Sequence, residues 1–241
     1  MSLISISGKI FAGKDQVAKY IQEFMPEHNW EIKKYAGKLK LICSIILGVP
    51  VEKFEDREFK ESYLPKEWDV FRCRFTGNHG NDQFGRDFVT KAEAVAYEKN
   101  ERMALQWPSS LKTVIKRERM KIREFMQRLG TEGIRVGLHQ QTWVNAMYSD
   151  YVDDGSQGMY PKYPNWIITD TRFVNELKGA TDSKAITIKV TRKETDAQAG
   201  THLSETALDH YKKWNYVIKN DGTMEDLKEQ VRQILIKEGL I

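Results

Sequence analysis

Cysteine and proline are scarce in this chain of 241 residues, which has two of the first and six of the second. Cys43 and Cys73 lie thirty positions apart with no CxxC pair, so neither a disulfide framework nor a zinc site is suggested, and a reducing cytoplasm is the expected compartment. Long apolar runs are missing as well. The longest, Leu41 to Pro50, is interrupted by Ser44 and Gly48 and is too short to span a bilayer. Met1 to Ile10 lacks the basic start and cleavage site of a secretory leader, so no membrane association is expected. The five histidines, His28, His79, His139, His202 and His210, form no i, i+4 ligand pair, and there is no GxSxG stretch. Excess charge is small too: 38 Lys+Arg against 34 Asp+Glu leaves +4, far below what a dedicated nucleic-acid binder carries. No stable nucleic-acid partner is expected, and anionic ligands are favoured only weakly.

What is present is a globular composition, 40% hydrophobic and 30% charged, long enough to bury a core without staples. Leu3 to Ile6 reads as a buried strand ending in Ser7-Gly8, and from Lys14 the apolar residues Val17, Tyr20, Ile21, Phe24 and Met25 mark one helical face that Pro26 stops. Trp30 and Ile32 suggest a second strand, and Leu39, Ile42, Cys43 and Ile46 a helix running to Gly48. From Glu52 to Ser110 the chain turns charged and aromatic, which is long for a plain connection and predicts a functional lobe, with a helix from about Thr90 to Met103. Lys112 to Leu129 shows helical spacing, as does Thr142 to Val152. Strands are predicted at Trp166–Thr169, Ala185–Val190 and Tyr216–Ile218, and a final helix behind Thr223 and Asp226. Strands alternating with helices predict an α/β domain with a mainly parallel sheet.

The strongest chemical signal is Gly8-Lys9-Ile10-Phe11-Ala12-Gly13-Lys14-Asp15, a GxxxxGK loop between a predicted strand and a predicted helix. Glycines let backbone N–H groups turn around a polyphosphate, the helix N-terminus adds partial positive charge, and Lys14 reaches the terminal phosphates. Gly8, Lys9, Ala12, Gly13, Lys14, Asp15 and Gln16 are therefore the candidate ATP-phosphate residues. Asp15 replaces the usual Ser or Thr. Two readings stay open, a Mg²⁺ ligand or a helix-start residue, because magnesium takes oxygen ligands and Asp is favoured at helix starts.

A second acid, Asp170, closes the strand Trp166-Ile167-Ile168-Thr169 and is followed by Thr171-Arg172, at the strand end where open α/β sheets bind ligands. In the phosphate-loop arrangement such an acid orients magnesium, and the bland alternative is a helix cap. Arginine grips phosphate oxygens with a planar fork. Arg123 and Arg172 are the candidates, with Arg57, Arg72, Arg86 and Arg192 weaker. Arg117, Arg119 and Arg128 read as solvated. Lys40 and Trp143 have bland readings as a surface lysine and a core aromatic.

Together these residues resemble the bacteriophage deoxynucleoside monophosphate kinases. The resemblance is collinear over the SGKxxxGKD region, Tyr35-Ala36-Gly37 with Lys40, Arg123 through Met126-Gln127-Arg128-Leu129-Gly130-Thr131-Glu132, Trp143, Asp170-Thr171-Arg172, Thr201-His202-Leu203-Ser204-Glu205 and Asn220-Asp221-Gly222. It implies a P-loop NTPase fold over 1–241, with a five-stranded mainly parallel sheet, helices on both faces and an inserted helical lobe at 52–110 that binds the monophosphate. It also implies an ATP lid at 192–210, to which His202, Ser204 and Glu205 would belong. Carried across, Lys14, Arg123, Arg172 and Asp170 would be catalytic, and Arg192 would join the ATP-binding residues. Lys40, Arg57, Arg123, Gly130, Thr131, Trp143, Asp170, Arg172 and Glu176 would contact the acceptor, and Asp15 and Asp170 would lie at Mg²⁺. Family members are dimeric, which predicts a homodimer in a host cytoplasm.

The activity so implied is phosphorylation of deoxynucleoside 5′-monophosphates by ATP. An ionised monophosphate needs no general base, so cations that hold two polyanions in line should dominate the site. The rivals are a kinase of another phosphorylated acceptor, such as a phosphomevalonate or coenzyme precursor, a guanine-nucleotide switch, and a nucleic-acid end kinase using Lys112 to Arg123. The switch lacks an NKxD stretch, and Glu118 and Glu124 weaken that basic face.

Overall fold

The structure is a computed structural model and describes residues 3–76, 82–104, 112–152, 163–196 and 206–241. Strand β1 (Leu3–Ser7) leads through the glycine loop into α1 (Lys14–Phe24), then β2 (Glu31–Lys33) and α2 (Ala36–Leu47). Next come α3 (Arg57–Glu61), β3 (Val70–Thr76), β4 (Asp82–Phe88), α4 (Lys91–Ala104), β5 (Lys112–Glu118) and α5 (Ile122–Gln127). A π-helical segment, Arg128–Val136, precedes α6 (Thr142–Tyr148). The rest holds β6 (Trp166–Ile168), α7 (Val174–Asp182), β7 (Ile186–Thr191), α8 (Lys193–Asp196), β8 (Tyr216–Lys219) and α9 (Met224–Lys237). The chain divides into two compact units, one of Met1–Ile42 with Glu132–Ile241 and the other of Cys43–Thr131.

The first unit is built on a parallel sheet of order β2-β6-β1-β7-β8. Every residue of β1 is buried, as a central parallel strand covered on both faces requires. Ile4, Ile6, Ile167, Ile188, Val190 and Ile218 form one face and pack on Val17 and Ile21 of α1 and Leu227, Val231 and Leu235 of α9. The opposite face, with Leu3, Trp166 and Ile168, packs on Trp143, Val144 and Met147 of α6 and Ala180 of α7. Helices therefore lie on both faces, as the sequence predicts. The chain from β1 goes to β2 on one side and the chain from β6 crosses to β7 on the other, so the carboxyl ends of β1 and β6 form a switch point of the kind that receives ligands. The last helix starts with the predicted capping box, in which Thr223 Oγ1 accepts from the Asp226 N–H at 3.1 Å and the Asp226 carboxylate accepts from the Thr223 N–H at 2.8 Å.

The second unit, in which Cys43 and Cys73 are buried free thiols, contains a three-stranded antiparallel sheet of order β4-β3-β5, where a helical lobe was expected. Phe71, Cys73 and Phe75 alternate with Arg72 and Arg74, so one face packs against Ala94 and Tyr97 of α4 while the other presents arginines. The expected helix at Lys112–Leu129 is also corrected. Lys112–Glu118 is strand β5, paired with β3 in the register Cys73↔Ile115, and the helix proper is only Ile122–Gln127. The run Thr113-Val114-Ile115 is β-branched and alternates in burial, which favours a strand.

Candidate phosphate-binding site

Six residues, Gly8 to Gly13, carry the chain from β1 into α1, and the backbone they need explains the glycines. Phe11 has φ 65° and Gly13 φ 101°, both in the left-handed region. A Cβ on Gly8 would stand 2.4 Å from the Val190 carbonyl oxygen of β7, and one on Gly13 would stand 2.4 Å from Asn220 Nδ2. Gly13 is the N-cap of α1 and, having no side chain, cannot cap that end, so the helix start is of the kind an anion stabilises. Lys14 folds back across the loop and its Nζ donates to the Lys9 carbonyl at 2.7 Å. Lys9 Nζ is ion-paired with Asp209 at 2.8 Å. Ala12 is buried; its N–H donates to the Lys9 carbonyl at 3.2 Å, and its own carbonyl accepts from Asn220 Nδ2 at 2.9 Å. The Gln16 N–H donates to the Gly13 carbonyl at 3.1 Å, the first turn of the helix. Asp15 stays 72% exposed in that turn, 3.7 Å from Lys34 Nζ, and makes no capping hydrogen bond.

Strand β6 lies beside β1 in the register Ser5↔Ile168, which brings its carboxyl end next to the loop. Asp170 Oδ1 accepts from the Tyr35 N–H at 2.7 Å and Oδ2 from the Ala36 N–H at 2.9 Å. Asp170 thus caps a helix, but it is α2 from across the sheet edge rather than the α7 that follows it. Thr171 is locked to β1 by a buried hydroxyl pair, Ser5 Oγ to Thr171 Oγ1 at 2.7 Å, and by its N–H donating to the Ile6 carbonyl at 3.3 Å. Glu176, 3% exposed, accepts on Oε2 from the N–H of Arg172 at 2.8 Å and of Phe173 at 3.1 Å, and on Oε1 from Arg135. Burial pushes its carboxyl up to about 7 against the pull of the Arg135 guanidinium and the Arg172 N–H. Tyr35, whose hydroxyl donates to the Glu176 carbonyl at 3.1 Å, has its phenol pushed far up by the same burial.

Other expected residues of this unit fall differently. Lys40, read as a surface lysine on its own merits, is 8% exposed in α2. Trp143 is packed in the core with Tyr35 and Trp166, as the bland reading had it. Arg192 follows β7 and is ion-paired with Glu194 at 2.9 Å. His202, Ser204 and Glu205 lie outside the described residues. Sequence reasoning missed Arg135, Ser5 and Asp209, and no local signal marks them, because each meets a partner at least 41 positions away.

In the second unit Arg123 and Lys121 both pair with Glu61, whose carboxyl is held below its usual value by the Arg123 hydrogen bond first and by Lys121. Arg57 is exposed at the start of α3, where Asp56 caps the helix, and Gly130 and Thr131 sit in the π-helical segment. Of the arginines read as solvated, Arg117 and Arg119 are exposed, while Arg128 is half-buried. Arg128 pairs with Asp87 and Glu124, Arg117 with Asp69 at 2.9 Å, and Arg119 lies 4.5 Å from the Tyr63 ring centre. Arg72 and Arg74 also reach Asp87, so three guanidiniums surround one carboxylate. Burial raises the Asp87 carboxyl, but Arg128 and Arg72 together hold it below its usual value.

Among the described residues no helix is long and apolar enough to cross a membrane. The chain is 33% identical over 115 residues to the deoxynucleotide monophosphate kinase of Escherichia phage RB69 and 32% identical over 114 residues to that of Enterobacteria phage T4. Each match covers 47% of this chain and 44% or 45% of the relative, so the similarity spans under half the length of these proteins. The family profile described as deoxynucleotide monophosphate kinase matches residues 76–231, a stretch that includes Asp170, Arg172 and Asn220 and begins after the glycine loop. A chain with a parallel phosphate-loop sheet whose greater part fits that profile belongs to the deoxynucleotide monophosphate kinase family.

Proposed function

We propose that the protein transfers the terminal phosphoryl group of ATP to a deoxynucleoside 5′-monophosphate, giving ADP and the diphosphate. The observation that carries this is the juxtaposition of the GKIFAGKD loop after β1 with the Asp170-Thr171-Arg172 turn after the neighbouring β6. The uncapped start of α1 and Lys14 would hold the ATP phosphates, with Lys14 exchanging the Lys9 carbonyl for a phosphate oxygen. Arg172 would grip the acceptor phosphate. Lys40 is proposed to join it, as are Arg57, Arg123, Gly130 and Thr131 of the second unit, which rest on the family resemblance alone. An acceptor oxygen that is already ionised attacks in line, and the cations offset the repulsion between the two polyanions.

The donor set suits magnesium brought in with ATP. Among the described residues no three His, Cys, Asp or Glu side chains converge to cage a metal, and a nucleotide-bound Mg²⁺ needs only one or two carboxylates plus phosphates and water. Asp15, whose carboxylate is exposed, would supply one, and Asp170 would supply the other through lone pairs left beside its bonds to the Tyr35 and Ala36 N–H groups. The ion would neutralise charge developing on the transferred group.

A coupled assay with ATP, Mg²⁺ and a panel of deoxy and ribo monophosphates tests the proposal. Conversion of deoxynucleoside monophosphates is expected, and conversion only of a different phosphorylated small molecule would replace it. The homodimer that the resemblance carries is checked by light scattering.

A further inference from the structure

The turn that carries Arg172 is fastened at both ends by buried polar contacts. On the β1 side stands the Ser5–Thr171 hydroxyl pair at 2.7 Å. On the other side stands Glu176, whose two oxygens are both engaged inside the protein, one with Arg135 and the other with the N–H groups of Arg172 and Phe173. Arg135, 7% exposed, arrives from the π-helical segment and does more than balance that charge. Its guanidinium carbon lies 3.8 Å from the centre of the Phe173 ring, and its Nη1 donates to Asn175 Oδ1 at 2.9 Å. Asn175 in turn donates to the Gln140 carbonyl at 2.8 Å. One guanidinium thus touches the side chains of residues 173, 175 and 176, while its carboxylate partner holds the backbone of 172 and 173.

We propose that Arg135 and Glu176 act as one buried positioning pair that fixes the Asp170–Phe173 turn and so sets the direction in which Arg172 leaves the backbone. With so little surface and both oxygens occupied, Glu176 serves through Arg172 rather than by touching the acceptor. A pair enclosed in this way is costly to break from one side, because the remaining charge stays buried without its partner. The kinetic consequence rests on the proposed function, in which Arg172 meets the acceptor phosphate.

The test compares Arg135→Met, Arg135→Lys, Glu176→Gln, Arg172→Ala and the double variant Arg135→Met/Arg172→Ala. It reads KM for ATP and for monophosphate, kcat, hydrogen exchange at the Arg172 and Phe173 amides, and the thermal midpoint. Arg135→Met should speed exchange at those two amides about tenfold and raise the monophosphate KM about tenfold, with the ATP KM moving less than twofold. Arg135→Lys should recover part of the loss. In the Arg172→Ala background the Arg135 substitution should have no further kinetic effect. A lower midpoint with unchanged exchange and unchanged KM would make the pair merely structural, and an effect that adds fully to Arg172→Ala would also overturn the proposal. If Arg135→Met does not fold, the milder Glu176→Gln decides by the same readouts. A wild-type protein inactive on every monophosphate would sink the functional reading, and amide exchange would still decide the positioning role.

Discussion

Asn220 donates its side-chain amide to the Ala12 carbonyl at 2.9 Å, tying the turn after β8 to the phosphate loop. The same nitrogen stands where a Cβ on Gly13 would go. Asn220→Ala is therefore expected to loosen the loop and raise the ATP KM several-fold, with a stability loss of about 1 kcal/mol, the scale of one hydrogen bond. Gly13→Ala should be worse, because the left-handed backbone alone costs about 1–2 kcal/mol in a residue with a Cβ. Steady-state kinetics and denaturant unfolding of both variants check the order.

Lys14 Nζ bonds the Lys9 carbonyl of its own loop, and under the proposed function its removal should cost activity far more than stability. Lys14→Ala is expected to lower kcat/KM by roughly 10²–10³, the range for losing one preorganised charge contact at a transition state. An unchanged thermal midpoint with this loss is the expected pair of results. Full activity would remove the loop from the mechanism.

The Ser5–Thr171 pair is buried at 0% and 1% exposure, so among the described residues its hydroxyls replace water with each other. Thr171→Val alone should destabilise by about 1–3 kcal/mol, the penalty for an orphaned buried hydroxyl. The double variant Ser5→Ala/Thr171→Val should regain much of that loss, since no polar atom is then stranded. Urea unfolding of Thr171→Val, Ser5→Ala and the double variant measures the coupling.

Glu176 gives stability a definite pH slope. Its folded carboxyl is raised to about 7 from an ordinary 4.5, so between those values the folded chain keeps a proton that the unfolded chain releases. This contribution is fully present below pH 4.5 and is lost as pH rises to about 7. Wild type should therefore lose stability relative to Glu176→Gln between pH 5 and 7.5 and stay level above. A constant gap across that range would mean that Arg135 keeps the carboxylate ionised throughout.

Elements governed by neighbours in sequence are legible from the sequence alone. The strand, glycine loop and helix at Leu3–Phe24, the strand before Asp170 and the capping box of α9 all follow from local spacing. The antiparallel sheet of the second unit was missed although Phe71-Arg72-Cys73-Arg74-Phe75 alternates with period two, because its charged residues resemble a solvated loop. Helical spacing over Val114, Ile115 and Ile122 bridged two elements that the chain separates at Arg119-Met120. The contacts that shape the site were out of reach for another reason. Arg135 with Glu176, Lys9 with Asp209 and Asn220 with Ala12 are paired by sheet topology, and no periodicity reports partners 41, 200 or 208 residues away.

The central position of β1 also sets the order in which the protein can be assembled. Leu3 pairs with Trp166 and Ile4 with Ile186, so β1 waits for partners 163 and 182 positions downstream before its edges are covered. The antiparallel partners Phe71 and Phe88 are by contrast only 17 positions apart. Nonlocal pairing of this kind slows folding and leaves strand edges exposed meanwhile. The phosphate loop follows β1 directly, yet Asn220 and the Val190 carbonyl, which shape it, are synthesised much later than the loop. Nucleotide binding should thus be acquired late in folding, and truncation before Asn220 should abolish it even though Asn220 lies 208 positions from the loop residue it holds.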